Sequence, residues 1–513
     1  MPSRPQHNLK QIPFRIRCFV RTSWGMPSRS SLPRLGMLIF LLWAPLPSNA
    51  DVVLDWNALM IDAIRGDNTG PTISTRNLAI MHTAIYDSVN SVLGTHQPYL
   101  LELDPPLETS PEAAAVGASY EVMKILYPSY GGPTDELYAN WLASTPQTAA
   151  ATNGLAFGKQ IGQLALQNRV GDGASTDVPY VPSDAPGAWR RTPPNFRPPL
   201  TPQWRYVTPF CLPGLEPFLP PPPPALDSQE YANDLNHVKA IGSLESAVRT
   251  AEQGLIASFW SDFNYTAMPP GHFHEIAANI ARDRNNSLSD NARLFALLSL
   301  AQADGAIVCW EAKYAYNLWR PVTAIQRANE DNNSRTEADP VWQQYLPSPP
   351  FPSYPSGHST FSKASAQVLT HFYRTDAIAF TTTSDTEVGV TRTFDSLAAC
   401  ADEIGLSRIY GGFHFLFDDV HGQTSGAKVA DFVSANYLLA NDSLPALRIE
   451  GFREGTRLLR LHGRVGRTYV IEASANLENW QPISTSQAKP GGLLVEDHDA
   501  NESTKRFYRA REL

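Results

Sequence analysis

Apolar residues recur every three or four positions through most of residues 51–440. In TRNLAIMHTAIYDSVNSVL the recurring positions are Leu78, Met81, Ile85, Val89 and Val92. This spacing is the period of one face of an α-helix. The same pattern is found in PEAAAVGASYEVMKIL, TDELYANWLAS, LDSQEYANDLNHVKAI, SDNARLFALLSLAQADGAIVCWEAKYAYNLW and ADFVSANYLLA. Strand-like alternation is nearly absent before residue 440, so we predict that residues 51–440 are mainly helical.

The helical pattern is interrupted between residues 179 and 224. This segment contains APGAWRRTPPNFRPPLTPQWRYVTPF and five consecutive prolines at 220–224. Proline has no backbone N–H and a fixed φ, so neither a helix interior nor a central strand is expected here. A plain linker is one interpretation. The other is a segment packed over the helical domain, suggested by its aromatic residues Trp189, Phe196, Trp204, Tyr206 and Phe210.

The last seventy residues follow a different pattern. RLLRLHGRV, RTYVIEASA, WQPISTS, GLLVEDHD and KRFYRARE are short, rich in strand-forming residues and separated by turn residues. We predict a small β-sandwich-like module over residues 446–513. It carries no recognisable chemistry, which favours a structural or surface-attachment role.

The composition indicates a globular chain with an acidic body. Apolar residues make up 42% and charged residues 18% of the 513 positions. Seven Lys or Arg and no acid lie in residues 1–50, so the remainder has 34 bases against 50 acids. This balance argues against nucleic acid as a partner. Three cysteines follow the first fifty residues without metal-ligand spacing and are predicted to be buried: Cys211, Cys309 and Cys400.

The basic beginning has the features of an export signal. Positive residues precede the apolar stretch LGMLIFLLWAPL, and small residues follow at Ser48-Asn49-Ala50. The apolar stretch is short for a membrane span. We expect no other segment to supply the roughly 18 apolar residues that a membrane-spanning helix needs. We therefore predict that residues 1–50 are a cleaved leader, with an uncleaved anchor as the alternative. The mature protein is expected in the periplasm or outside the cell, without an integral membrane domain.

The stretch FPSYPSGHST, residues 351–360, places rigid, flexible and ionisable residues directly before a helical pattern. A helix start has unpaired N–H groups and a partial positive charge, so it can bind an oxyanion. Gly357 allows close approach of the backbone, and Ser356 adds a hydroxyl donor. His358 can exchange a proton near neutral pH. Alone, the stretch is equally compatible with an ordinary N-cap and a surface histidine.

Two further stretches supply cations and a second histidine. In EAKYAYNLWRPV, Lys313 and Arg320 are seven residues apart, a spacing that predicts one shared helix face before Pro321. In LSRIYGGFHFLFDD, Arg408 and His414 flank Gly411-Gly412, where the chain could close around a ligand. Asp418 follows one helical turn after His414 and is expected to orient the imidazole. A solvated basic face and an ordinary helix junction are the alternatives for these stretches taken singly.

Together the three stretches form one composite pattern. It resembles the signature shared by the vanadium-dependent haloperoxidases and the type 2 phosphatidic acid phosphatases. The closer resemblance is to the soluble, chloroperoxidase-like branch and covers about residues 247–440. Residues 51–170 resemble bacterial members more weakly, and residues 446–513 lie outside the resemblance. The family implies an all-α fold of helical bundles, in agreement with the periodicity.

The resemblance implies a vanadate cofactor, one per active site. It implies that vanadate oxygens are held by Lys313, Arg320, Ser356, the Gly357 backbone N–H and Arg408. His414 would bind vanadium, His358 would act as acid–base, and Lys313 would polarise the bound peroxide. Supporting residues implied around this site are Asp262, which pairs with the anion-binding arginine, and Trp310, Phe351 and Asp418. His272 and His274 in PPGHFHEI are expected to be polar surface residues and are left out of the site.

The implied reaction is the oxidation of halide by hydrogen peroxide to hypohalous acid, which halogenates a small organic acceptor. The aromatic residues Trp310 and Phe351 favour a chloroperoxidase-like enzyme that oxidises bromide and chloride. A secreted acid phosphatase is the first alternative, with His414 as nucleophile and His358 as the acid that protonates the leaving alcohol. A non-catalytic oxyanion-binding or cell-surface protein is the second.

Overall fold

Helices dominate the chain up to residue 436, as the periodicity predicts. The computed structural model describes residues 51–101, 103–441, 444–453, 456–464, 466–489, 492–500 and 505–513. The predicted leader at residues 1–50 lies outside the described residues and stays a prediction. The α-helices in the described part are α1 (Val52–Gly66), α2 (Pro71–Leu93), α3 (Pro111–Leu126), α4 (Gly131–Ser144), α5 (Ala149–Asn168), α6 (Gln229–Ile241), α7 (Ala251–Phe259), α8 (Met268–Asp283), α9 (Leu288–Tyr316), α10 (Pro321–Gln326), α11 (Gly357–Tyr373), α12 (Leu397–Tyr410) and α13 (Leu416–Asn436).

Helix α9 runs through the main hydrophobic core. Ser287 caps its start, since the Ser287 Oγ accepts the Asp290 N–H at 3.2 Å. In the described part of the chain, α9 is the one helix long and apolar enough to cross a membrane, and 94% of its apolar stretch is buried inside the protein. The expectation that no segment after the leader has this character is therefore wrong. The buried polar residues Gln302 and Asp304 interrupt the apolar residues of α9. The sequence therefore shows no uninterrupted apolar stretch, although the helix is apolar on average.

The proline-rich segment packs against α9, which contradicts the linker interpretation. Three consecutive backbone N–H groups donate to the buried Asp304 carboxylate: Phe210 at 2.6 Å, Cys211 at 2.7 Å and Leu212 at 3.0 Å. Trp189 and Trp204 are fully buried, whereas Phe196 and Tyr206 are exposed. The aromatic residues thus divide between the core and the surface. Cys211, Cys309 and Cys400 are buried free thiols, as predicted.

Asp304→Ala is expected to destabilise the protein by at least about 3 kcal/mol. The substitution leaves three buried N–H groups without an acceptor, and each unsatisfied group costs about 1–3 kcal/mol. Equilibrium unfolding in denaturant measures the loss, with Asp402→Ala as a control because Asp402 is exposed on α12. Equal stability of the two variants would show that the carboxylate does not hold this segment.

A short hairpin, missed by the sequence pattern, lies between α11 and α12. Strand β1 (Phe380–Thr383) pairs antiparallel with β2 (Thr391–Phe394), in the register Phe380 to Phe394. Each strand has only four residues, which is too short for alternation to stand out. The hairpin contacts α8 and brings Thr382 to the neighbourhood of the site described below.

In the described residues from 444 onward, six strands form two three-stranded antiparallel sheets, which confirms the predicted β-rich module. They are β3 (Ala446–Arg453), β4 (Thr456–His462), β5 (Thr468–Ser474), β6 (Gln481–Gln487), β7 (Leu493–Asp497) and β8 (Phe507–Glu512), in the orders β3-β4-β7 and β6-β5-β8. Leu459 and Leu461 of one sheet share a core with Tyr469 and Ile471 of the other. Strand β3 was missed, since a bulge near Gly451 interrupts its alternation. The division into two domains near residue 440 stays a prediction.

Candidate active site

The stretch FPSYPSGHST, in which the sequence predicts oxyanion binding, leads into the start of α11. Ser356 is the N-cap, and its Oγ accepts the Ser359 N–H at 3.3 Å and the Ser359 hydroxyl at 2.8 Å. Its own hydroxyl proton stays available to a ligand. Gly357 and His358 are the first two helical residues, and neither backbone N–H donates to another described residue. The helix start thus offers a hydroxyl and two amides at its positive end.

Two glycines bring α13 against the start of α11. A Cβ at Gly422 would lie 2.7 Å from the Ser356 carbonyl oxygen, and one at Gly426 would lie 2.3 Å from the Thr360 carbonyl oxygen. Both distances are too short for a side chain, so only glycine permits this approach. The close contact places the residues just before α13 beside the oxyanion cradle.

His414 is held in one tautomer by Asp418. The His414 Nδ1 lies 2.7 Å from Asp418 Oδ2, and the same oxygen accepts the Ser353 hydroxyl at 2.5 Å and the Phe415 N–H at 3.1 Å. A carboxylate only accepts, so the proton of the neutral imidazole is on Nδ1. Burial and the nearby Arg320 lower the pKa of His414 well below its ordinary value. The imidazole is therefore neutral, and its Nε2 carries a lone pair.

The predicted shared helix face of Lys313 and Arg320 is wrong. Helix α9 ends at Tyr316 with Asn317 in the left-handed region at φ 50°, and Pro321 begins the separate helix α10. Arg320 precedes this proline in an extended conformation, as the steric demand of a following proline favours. Both cations are nevertheless fully buried, and Arg320 is near enough to Lys313 to lower its pKa.

Lys313 holds the loop before α11 in this structure. Its Nζ donates to the carbonyl oxygens of Pro352 at 3.0 Å, Ser353 at 2.9 Å and also Pro355. Burial, with Arg320 nearby, lowers the pKa of Lys313 to about 7. Three carbonyl acceptors require three donors, which identifies the charged ammonium. Lys313 therefore places a positive charge beside the cradle while its N–H groups are engaged with the backbone.

Arg320 and Arg408 are buried guanidinium groups with unused donors. Arg320 donates to the carbonyl oxygens of Phe351 at 2.8 Å and Phe413 at 2.9 Å, and its Nη1 lies 3.0 Å from His414 Nε2. Arg408 Nη1 donates to the Trp260 carbonyl oxygen at 2.8 Å. Among the described residues, Arg320 Nη2 and Arg408 Nε and Nη2 have no partner. Unpartnered buried charges are costly, so these donors call for an anion with several oxygens.

Asp262 hydrogen-bonds to His272, and its charge also acts on Arg408, the arginine side of the pairing implied by the resemblance. The Asp262 carboxylate accepts from His272 Nδ1 at 3.2 Å, and His272 Nε2 lies 3.0 Å from the Thr382 hydroxyl. Burial alone would lower the pKa of His272, but Asp262 raises it above the ordinary value. His272 and His274 are both buried, so their expected surface position is wrong. The sequence around PPGH did not predict the hydrogen bond between Asp262 and His272.

His358 presents an unpartnered nitrogen near these groups. Its Nε2 is buried without a hydrogen-bond partner among the described residues. Burial, and next the positive charge of Arg408, lower the pKa of His358 well below its ordinary value. The imidazole is therefore neutral at neutral pH and can accept a proton.

Gly411 and Gly412 pack against protein atoms, and the predicted ligand contact there stays a prediction. Gly412 has φ 86°, and a Cβ there would lie 2.2 Å from the Gly242 carbonyl oxygen. The turn between Arg408 and His414 is glycine-rich because it packs directly on the backbone after α6. This packing alone accounts for the glycine at position 412.

A cavity of about 280 Å³ lies at Arg408 and His358, which carry unpartnered nitrogens, while Arg320 lies behind its lining. His358, Arg408, His414, Gly357 and Asp262 contribute to its lining. Trp310 and Phe351 form an apolar side, with ring centroids 5.0 Å apart. Sequence reasoning missed the residues that the proline-rich segment and the turn before α2 contribute: Asn68, Gly70, Pro71, Arg197, Pro198 and Leu200.

Comparisons with known proteins agree with this geometry. Residues 293–440 match the family model described as the VCPO second helical-bundle domain. The vanadium chloroperoxidase of Curvularia inaequalis is 26% identical over an alignment of 494 residues. The match covers 72% of this chain and 79% of that protein. The crystal structure of a bacterial vanadium-dependent iodoperoxidase superposes with a TM-score of 0.68 at 28% identity, covering 77% of this chain and 98% of that chain.

A holo-type bacterial vanadium-dependent chloroperoxidase is more distant. It superposes with a TM-score of 0.59 at 18% identity, over 71% of this chain and 92% of that chain, and shows the likeness of the fold alone. The matched family model spans the segments from Lys313 to Asp418 that build the cradle. In sequence and fold the chain therefore resembles the vanadium-dependent haloperoxidases, and its residues 293–440 match the model of the VCPO second helical-bundle domain.

Proposed function

We propose that the protein is a vanadate-dependent haloperoxidase that uses hydrogen peroxide to oxidise bromide and chloride to hypohalous acid. The observation that carries the proposal is the set of unpartnered N–H groups on the buried Arg320 and Arg408. The names of its relatives support the class, since they include a chloroperoxidase and an iodoperoxidase.

The residues of the cradle fit vanadate. Arg320 and Arg408 have free donors for its oxygens, and Ser356 and the Gly357 backbone N–H add two more. A Cβ at Gly357 would lie 3.6 Å from Trp310 and would fill part of this space. His414 Nε2 would bind vanadium, because Asp418 fixes the proton on Nδ1. Lys313 would supply a positive charge. It would also donate one N–H to vanadate if it released one of its three backbone carbonyl acceptors.

Bound vanadate supplies a Lewis acid that activates hydrogen peroxide without a change in metal oxidation state. His358 takes a proton from the incoming hydrogen peroxide at its unpartnered Nε2. The buried charge of Lys313 draws electron density from the peroxide oxygens. In the overall reaction, hydrogen peroxide, halide and one proton yield hypohalous acid and water.

The apolar side of the cavity favours oxidation of chloride as well as bromide. The Phe351 ring lies 4.9 Å from both Lys313 Nζ and the Arg320 guanidinium carbon. An apolar ring excludes water there, and charges act more strongly at a lower local dielectric. Chloride is the harder of the two halides to oxidise, so it depends more on this polarisation.

Phe351→His is expected to lower the ratio of chloride to bromide turnover by on the order of tenfold, because a polar ring admits water beside Lys313. Steady-state halogenation of a β-diketone dye with each halide between pH 4 and 7 measures the ratio. Phe196→His is the control, since Phe196 is exposed on the proline-rich segment. A wild-type enzyme that turns over iodide or bromide but never chloride would contradict the halide assignment.

The proposal as a whole is tested by adding orthovanadate to purified apo-protein with hydrogen peroxide and bromide. Oxidation that begins only after orthovanadate is added supports it. Oxidation that ignores orthovanadate, together with rapid hydrolysis of p-nitrophenyl phosphate, would instead identify a phosphatase that uses the same pocket.

A further inference from the structure

The cavity is larger than the oxyanion needs. Its volume is about 280 Å³, whereas a cavity of about 150 Å³ can hold benzene. Drug-sized ligands need roughly 300–1,000 Å³. The space therefore suits an oxyanion together with one aromatic ring. Its side walls are largely apolar, through Leu200, Phe263, Met268, Trp310, Phe351 and Phe361.

Arg197 gives this apolar cavity a cation that is not among the residues proposed to hold vanadate. Arg197 lines the cavity and makes one weak hydrogen bond, from Nη2 to the Ser348 carbonyl oxygen at 3.4 Å. No carboxylate lies within ion-pair distance of it among the described residues. Arg205, eight residues later, has such a partner, with its guanidinium 2.7 and 3.0 Å from the Glu311 carboxylate.

The position of Arg197 is fixed by backbone contacts on either side. The Trp189 N–H donates to the Asn317 carbonyl oxygen at 2.8 Å, and the Leu200 N–H donates to the Pro350 carbonyl oxygen at 2.9 Å. The Leu200 carbonyl oxygen also accepts the Tyr314 hydroxyl at 2.8 Å. These contacts hold the loop of residues 190–199 at the cavity, so Arg197 is a built part of its lining.

We infer that the cavity binds the organic acceptor as a single-ring phenolic carboxylate, with the carboxylate on Arg197 and the ring against the apolar walls. This inference rests on the proposed function, which supplies hypohalous acid at the cavity floor. A ring carbon gives its electron pair to the halogen, the halogen–oxygen bond breaks, and the ring proton leaves with the released hydroxide as water. Arg197 thereby selects anionic acceptors, because its guanidinium pairs with a carboxylate through two N–H groups.

Binding is tested without turnover, by calorimetric titration of 4-hydroxybenzoate into the full-length protein loaded with orthovanadate. The neutral 4-hydroxybenzamide is the control ligand, and Arg191→Gln is the control variant because Arg191 is exposed on the same loop. We expect 4-hydroxybenzoate to bind the wild type and to bind Arg197→Gln at least about tenfold more weakly, as loss of a charge-assisted bond predicts. Arg197→Lys keeps the charge and should lose less affinity, which separates the effect from misfolding.

Product ratios give a second readout. An equimolar mixture of 4-hydroxybenzoate and 4-hydroxybenzamide is brominated by the enzyme and, separately, by reagent hypobromite. The enzyme should favour the carboxylate more than the reagent does, and Arg197→Gln should remove that preference. Three results would each overturn the inference. The first is an identical product ratio with enzyme and reagent, and the second is the absence of 4-hydroxybenzoate binding. The third is 4-hydroxybenzoate binding that orthovanadate displaces and that Arg197→Gln leaves unchanged. Bromide oxidation by the wild type would leave the proposed function standing in all three cases, whereas Arg197-dependent binding without vanadate-dependent oxidation would overturn the function alone.

Discussion

Replacing His414 with alanine is expected to abolish vanadate-dependent halide oxidation. His414 Nε2 is the proposed protein ligand to vanadium, and Asp418 holds its tautomer through a 2.7 Å contact with Nδ1. The variant loses this ligand but keeps Arg320, Arg408 and the start of α11. Orthovanadate should therefore bind weakly as an anion and support no turnover. Equilibrium dialysis of orthovanadate and steady-state bromide oxidation measure the two effects.

The matched control is His371→Ala on α11, since His371 is a surface residue bonded to Asp431 at 2.7 Å. Its vanadate affinity and turnover should equal those of the wild type. Wild-type turnover in His414→Ala would place the vanadium ligand elsewhere. Thermal unfolding of both variants verifies that the loss at His414 is not a loss of fold.

Replacing His358 with alanine is expected to lower turnover by about 10²–10⁴-fold, the usual contribution of a general acid–base group. Vanadate affinity should remain measurable, because the cradle donors and His414 are intact. Burial and Arg408 lower the pKa of His358, so the wild-type imidazole is unprotonated at neutral pH and is protonated only on acidification. The wild-type rate of peroxide activation should thus fall as pH drops through that pKa, and His358→Ala should lack this acidic limb.

A pH profile of kcat/KM for hydrogen peroxide distinguishes this role from a structural one. An unchanged acidic limb in His358→Ala would assign the titration to another group. Full retention of turnover in the variant would remove His358 from the mechanism. His371→Ala again serves as the control, since it changes a histidine on the same helix away from the cavity.

The sequence predicted the parts of the fold and site that depend on local pattern. Helical periodicity gave the all-α body, and Pro-Ser-Gly-His gave the helix start that carries Ser356, Gly357 and His358. The spacing of His414 and Asp418 anticipated their contact, but His414 precedes α13 and Asp418 in the first turn reaches back to it past the N-cap residue Phe415.

Features that depend on distant contacts were not predictable in this way. The partner of Asp262 is ten residues along the chain, but it also needs Thr382 from a hairpin that was not foreseen. The sequence predicted a ligand-binding turn at Gly411 and Gly412. In the structure Gly412 packs against Gly242, about 170 residues away in sequence. Lys313 and Arg320 do not share a helix because Asn317, a residue type that tolerates the left-handed conformation, ends α9 between them. The spacing of seven residues does not take this C-cap signal into account.

The anchoring of the loop of residues 190–199 has a consequence for the evolution and redesign of this enzyme. Its two ends are tied by backbone N–H groups to backbone carbonyl oxygens, at Asn317 and Pro350. Such ties do not depend on side-chain identity, so the loop can exchange residues while its ends stay in place. The cradle, in contrast, is built from α11, α13 and the chain around Arg320. On the inference that Arg197 binds the acceptor, acceptor choice can diversify by replacing one loop. A library restricted to residues 193–199 is then expected to yield new acceptor preferences without changing the residues proposed to hold vanadate.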